Sequence, residues 1–203
     1  DENVNVGIYE NGVLVQTLNL PRISMETLVL NTAAFPCLTG NVSVCYEYAN
    51  YSNVIDLPVN AAGYTLARYG CCRIGNITNT NGSNNIGNTY VTKIPGTNVL
   101  PTGYNNSPRF NVKDTALVCS GKQFKLDFGA VDVDNDVMTY SFCDAYSASS
   151  GSNNAPPSSV LNITSIPYSS PFSGTDPLGG GVQINGTTGI ISGVAPGVGQ
   201  YVV

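Results

Sequence analysis

Histidine and tryptophan are absent from this 203-residue chain, and charge is scarce: 8 basic and 13 acidic residues give a net charge of −5. Without histidine there is no Ser-His-Asp or Cys-His catalysis and no His-ligated zinc or iron. With so few cations and a negative balance, no basic patch offers a footprint for nucleic acid. No run of ~18 apolar residues occurs, so nothing reads as a membrane-spanning helix. No segment combines a 3.6-residue apolar period with end caps, which argues against helices altogether. Glutamate stands only at positions 2, 10, 26 and 47. That leaves little for the facing carboxylates of glycoside hydrolysis. With no nucleophile beside a base, the chain reads as something other than an enzyme.

Polarity is supplied instead by 24 Asn, 22 Gly, 12 Tyr and many Ser and Thr. Polar but uncharged, and rich in turn formers, this composition fits an extracellular β protein. Six cysteines (Cys37, Cys45, Cys71, Cys72, Cys119, Cys143) lack any CxxC spacing. Disulfides are their default, and disulfides belong to an oxidising compartment. Cys119 and Cys143 fall at the ends of two expected neighbouring strands and are expected to bond to each other. Adjacent Cys71 and Cys72 would point to opposite faces of an extended chain. They would then reach different partners, with Cys37 and Cys45 the candidates, leaving no cysteine free.

The pattern along the chain is that of strands and turns. Val4 to Tyr9 and Val13 to Leu18 flank Glu10-Asn11-Gly12, and Asn-Gly between alternating runs signals a hairpin. Leu28 to Leu30, Val42 to Tyr48, Tyr64 to Cys71 and Thr89 to Ile94 read as further strands, with a polar loop at Asn76 to Asn85. Turn-rich Pro95 to Pro108 reads as a domain boundary. Beyond it, Arg109 to Val112, Ala116 to Cys119, Phe124 to Phe128, Met138 to Cys143, Val182 to Ile184 and Gly189 to Ser192 complete the set. Ala145 to Pro157, rich in Ser, Asn and Pro, reads as a long mobile surface loop. The expected fold is all-β, with two tandem sandwiches over residues 1–104 and 105–203. The polar amino end carries no signal peptide, and Gly199 to Val203 resembles the start of a strand. If the protein is exported, the amino end reads as that of a processed or excerpted piece, and at the other end either the chain is cut from a longer array or the final strand comes from another segment.

The densest chemistry lies at Asp132, Asp134 and Asp136, directly before the alternating run Met138 to Cys143. Three carboxylates in five residues repel one another unless solvent or a cation separates them. A hard divalent ion that takes several oxygens from a short loop would suit them, and calcium is the expected metal. The competing reading is a solvated acidic turn, because Asp and Asn favour turns by bonding their own backbone. Asn106, in the expected linker, is a further candidate ligand.

Several short motifs, in order, resemble a known family. Asn106-Ser107-Pro108-Arg109-Phe110 resembles the NxPxF linker that opens a cadherin-like domain. Ala130-Val131-Asp132-Val133-Asp134 followed by Tyr140-Ser141-Phe142 resembles that fold's AxDxD segment, and Gln183 to Gly193 followed by Gly199-Gln200-Tyr201 resembles its later strands. Cys71-Cys72-Arg73 with Asn76-Ile77 adds a likeness to the large surface adhesins of gliding Bacteroidota, which are exported by type IX secretion. The resemblance implies Ig-like or cadherin-like repeats, cell-surface location, and a structural or adhesive role, in adhesion, gliding motility or a surface filament. Neighbouring repeats would be the partners, with surface glycans or proteins as ligands. Cadherin linkers carry acidic residues before NxPxF, whereas Thr102-Gly103-Tyr104-Asn105 has none, which implies weaker or fewer calcium ions. The alternative function is a carbohydrate-binding module of a secreted enzyme.

Weaker signals complete the reading. Asp114-Thr115-Ala116 fits the short motif at which Bacteroidota attach O-glycans, with Thr115 as acceptor and a plain turn as the alternative. Seven N-x-Ser/Thr sequons are what an Asn-rich chain produces by chance. Tyr46, Tyr48, Tyr51, Tyr64 and Tyr69 could stack on sugars, but alternating Tyr more often forms a strand face. Gly179-Gly180-Gly181 lacks the strand–helix setting of a phosphate loop and reads as a turn.

Overall fold

The computed structural model describes residues 3–29, 37, 45–100, 105–111, 116–148 and 155–203. Thr115, Thr102 to Tyr104 and the side chain of Cys45 lie outside the described residues. Among them the protein is all-β, with a single 3-10 turn at Ser83–Asn85 and eleven strands. No helix there is long and apolar enough to cross a membrane.

Strand β1 (Asn3–Glu10) turns into β2 (Val13–Val29) at Asn11 and Gly12, whose φ values of 50° and 83° are those of the two-residue hairpin turn that Asn-Gly favours. The remaining strands are β3 (Cys45–Tyr51), β4 (Tyr64–Gly70), β5 (Gly87–Ile94), β6 (Arg109–Phe110), β7 (Gln123–Asp127), β8 (Ala130–Val131), β9 (Ser147–Ala148), β10 (Val182–Ile184) and β11 (Ile190–Val194). They form a six-stranded sheet ordered β3-β2-β1-β4-β5-β9, a three-stranded sheet β10-β11-β7, and the pair β6-β8.

The larger sheet crosses the boundary expected near residue 104. Its last strand, β9, comes from the second half of the chain and pairs Gly87 with Ala148 and Asn88 with Ser147. Other links do the same. Val13 bridges to Ser159, Ile77 to Gln200 and Thr80 to Tyr168. Backbone pairing therefore ties residues 1–104 to residues 105–203 across the expected boundary.

Alternation sends the side chains of β1 to two faces. Tyr9 is fully buried on one of them, its hydroxyl donating to the Pro157 carbonyl. A Cβ at Gly7 would meet the Tyr9 ring at 2.7 Å and Pro156 at 2.8 Å, so only glycine lets that ring lie flat along its own strand. Ala67, on the paired strand β4, is buried on this same face. Burial pushes the Tyr9 phenol up to about 12, with the nearby Tyr69 phenol adding to the shift. In the smaller sheet, Val182 and Ile191 form the core.

Several segments differ from expectation, and Ala116 to Cys119, expected as a strand, forms none. Met138 to Cys143 alternates half-buried and exposed as a strand would, yet it joins no sheet. Tyr140 N–H donates to the Gly186 carbonyl at 2.9 Å, the one backbone–backbone tie of this stretch among the described residues, where a ladder was expected. The polar stretch Asn76 to Asn85 is not simply a surface loop, since Ile77, Asn79 and Thr80 are buried within it. Likewise the expected loop at Ala145 to Pro157 is anchored at both ends, by β9 and by fully buried Pro157.

The cysteine pairing also departs from expectation. Cys119 is bonded to Cys37, not to Cys143, and Cys143 is a free, exposed thiol. Cys143 closes a stretch that pairs with no strand, so it is not brought beside Cys119, which sits in the turn leading into β7. Cys71 and Cys72 are bonded to one another across a cis peptide. β4 stops at Gly70, so the opposite-face argument, which needs an extended backbone, does not apply to them.

Candidate metal centre

Two short strands place the acidic loop. Arg109 pairs with Val131 and Phe110 with Ala130, and Asn111 N–H donates to the Gly129 carbonyl at 2.8 Å. β6 begins three residues after Asn106, and β8 ends one residue before Asp132. Their antiparallel pairing therefore carries the linker residue and the loop to the same end.

Within the loop, Asp132 organises the backbone. Its Oδ1 accepts from the N–H of Asp134 at 2.8 Å and of Asp136 at 3.3 Å, while its carbonyl accepts from Asn135 at 3.4 Å. Asn135 has φ 61°, a left-handed conformation that Asn tolerates better than other side chains. Asp134 faces the linker instead. It accepts from the backbone N–H of Asn106 and from the Asn106 side-chain amide at 2.9 and 3.2 Å. Those donors, the backbone one first, hold the Asp134 carboxyl below the usual carboxylate range, against a small opposing effect of desolvation.

The carboxylates of Asp132, Asp134 and Asp136 each offer an oxygen, and these all lie within 4.8 Å of one another. Calcium takes oxygens at about 2.4 Å, so two ligands on opposite sides of one ion would stand ~4.8 Å apart. The spacing is thus compatible with a shared cation, and all donors are hard oxygens. Asp132 is half-buried and the other two are exposed. The Asn106 side-chain amide donates through Nδ2 to Asp134 and so positions that carboxylate.

Sequence reasoning missed Asn79 entirely. It is fully buried, and its Nδ2 donates to the carbonyls of Pro177 and Val202, each at 2.7 Å. Val202 N–H returns a bond to Asn79 Oδ1 at 3.0 Å. The only signal available was Ile77, an apolar residue two positions earlier in an otherwise polar run.

Comparison with known proteins returns no match: no family model, no curated protein and no solved structure is significantly similar to this chain.

Proposed function

We propose that this chain is a structural and adhesive module of a large secreted cell-surface protein, built from Ig-like or cadherin-like β units and carrying calcium at Asp132, Asp134 and Asp136. The observation that carries the reading is the grip of Asp134 on Asn106. An acidic loop is docked by three donor contacts onto the linker segment, where the resemblance to cadherin-like repeats calls for a cation. The Cys37–Cys119 bond adds support, since a disulfide suits an exported protein exposed to an oxidising medium. Neighbouring repeats of the same chain, surface proteins and glycans are the partners this role entails. Extracellular millimolar calcium would fill even a weak site of this type.

Beads coated with the protein test the role directly. In calcium they should be retained on solid or glycan-coated surfaces under flow, and chelation should release a large fraction of them. Retention no better than that of uncoated beads would rule out the adhesive role.

A further inference from the structure

The face of the six-stranded sheet opposite Tyr9 carries an open groove of about 650 Å³. Its floor is aliphatic: Val6 on β1, Leu18 and Leu20 on β2, and Leu66 on β4. Ile55 and Leu57, from the segment between β3 and β4, form a wall. The lining contains no acidic residue, although acids outnumber bases in the chain. It contains one cation, Arg68, beside Tyr90 on the paired strand.

Arg68 is the groove's charged group, and like Asn88 at the same end it carries an unpartnered buried atom. Its Nε is buried without a hydrogen-bond partner. That atom has almost no accessible surface, so its missing bond is a cost the fold itself carries, and an occupant of the groove would meet the guanidinium through its Nη groups. Donors converge at that end. Arg68 Nη1 and Asn88 Nδ2 both stand over Gly70, 3.7 and 3.5 Å from where its Cβ would be, and Asn88 Nδ2 reaches the Tyr90 hydroxyl at 3.2 Å.

We propose that this groove binds an amphiphilic monocarboxylate, its aliphatic body lying across β2, β1 and β4 and its carboxylate held by Arg68. The Arg fork matches a carboxylate in charge and in geometry. A single cation balances one negative charge and falls short of a doubly charged phosphate. An aliphatic floor suits an acyl chain better than a sugar, which needs polar partners along its length. From β2 to β4 is two strand spacings, on the order of 10 Å, which a medium-chain acyl group would span. The site lies apart from the acidic loop and does not depend on calcium.

Decanoate is the probe, titrated into the intact chain below its micellar concentration and followed by amide NMR shifts. Saturable shifts are expected at Val6, Leu18, Leu66, Arg68 and Tyr90, with decanol weaker and decylammonium weakest. Arg68→Gln should weaken decanoate about tenfold or more while leaving decanol unchanged, because the charge-assisted bond is lost and the apolar contact is not. Should that variant fold poorly, Thr92→Glu serves instead. Thr92 is exposed on this same face, and a carboxylate there should repel decanoate while sparing decanol. Absence of saturable shifts, equal binding of decylammonium, or decanoate binding undiminished by either variant would overturn the proposal.

Discussion

Asn79 and Val202 exchange two hydrogen bonds: the Asn79 amide donates to the Val202 carbonyl at 2.7 Å, and Val202 N–H donates back to Asn79 Oδ1 at 3.0 Å. The side-chain amide thus stands in for a peptide group, pairing with a backbone 123 residues away. Asn79→Ala should destabilise the protein by about 2–3 kcal/mol, because the partner groups at Val202 and Pro177 are left without bonds. Denaturant unfolding measures this. A change below about 0.5 kcal/mol, the level of ordinary surface substitutions, would mean that water replaces the lost bonds.

The disulfide pattern is open to peptide mapping. Non-reducing digestion should recover Cys37 linked to Cys119, while Cys143 of the native protein should react with a thiol reagent. Replacing Cys37 and Cys119 by serine frees a loop of sequence separation 82. The chain-entropy argument gives a loss of about 4.5 kcal/mol, seen as a lower unfolding midpoint. A peptide joining Cys119 to Cys143 would contradict the pairing.

Tyr9 supplies an alkaline limit. Its phenol is raised from the usual 10.0 to about 12, so the folded state holds the proton that the unfolded chain releases. Its contribution is complete below pH 10 and is lost as pH rises through about 12. Melting temperature should therefore fall across that window. Tyr9→Phe should flatten the fall while lowering stability at neutral pH, since the bond to Pro157 goes with it.

Asp134 behaves in the opposite sense. Its carboxyl is depressed by the Asn106 donors, so the stabilisation is present above the ordinary carboxylate range and is lost as pH falls through the lowered value. Carboxyl NMR titration should find the Asp134 midpoint below the usual aspartate range. Asn106→Ala, which removes the side-chain donor but keeps the backbone one, should bring Asp134 part of the way back.

Local patterns carried much of the fold. The Asn11-Gly12 hairpin and strands β4, β5, β7, β10 and β11 follow from alternation bounded by turn residues. What failed was pairing at long range. Met138 to Cys143 has the right alternation, but alternation reports two unlike faces and says nothing of a neighbouring strand. That gap misplaced Cys143 and with it the disulfide. β9, two residues long inside a Ser- and Asn-rich stretch, has no apolar period to read. Asn79 looks like any loop asparagine until its distant partners are known. At the candidate centre the three aspartates were legible as a cluster, and Asn106 was picked out as a neighbour. Its role as donor to Asp134 needed the β6–β8 register, which two-residue strands do not announce.

Titration calorimetry with calcium, on the native protein and on Asp134→Ala, separates a calcium site from a solvated turn. A saturable heat is expected within the millimolar range, with melting stabilised as RT ln(1 + [Ca]/Kd), about 1.4 kcal/mol at a tenfold excess over Kd. Asp134→Ala should remove most of both responses. No heat at millimolar calcium, together with melting that chelation leaves unchanged, would reduce the three aspartates to an ordinary solvated turn.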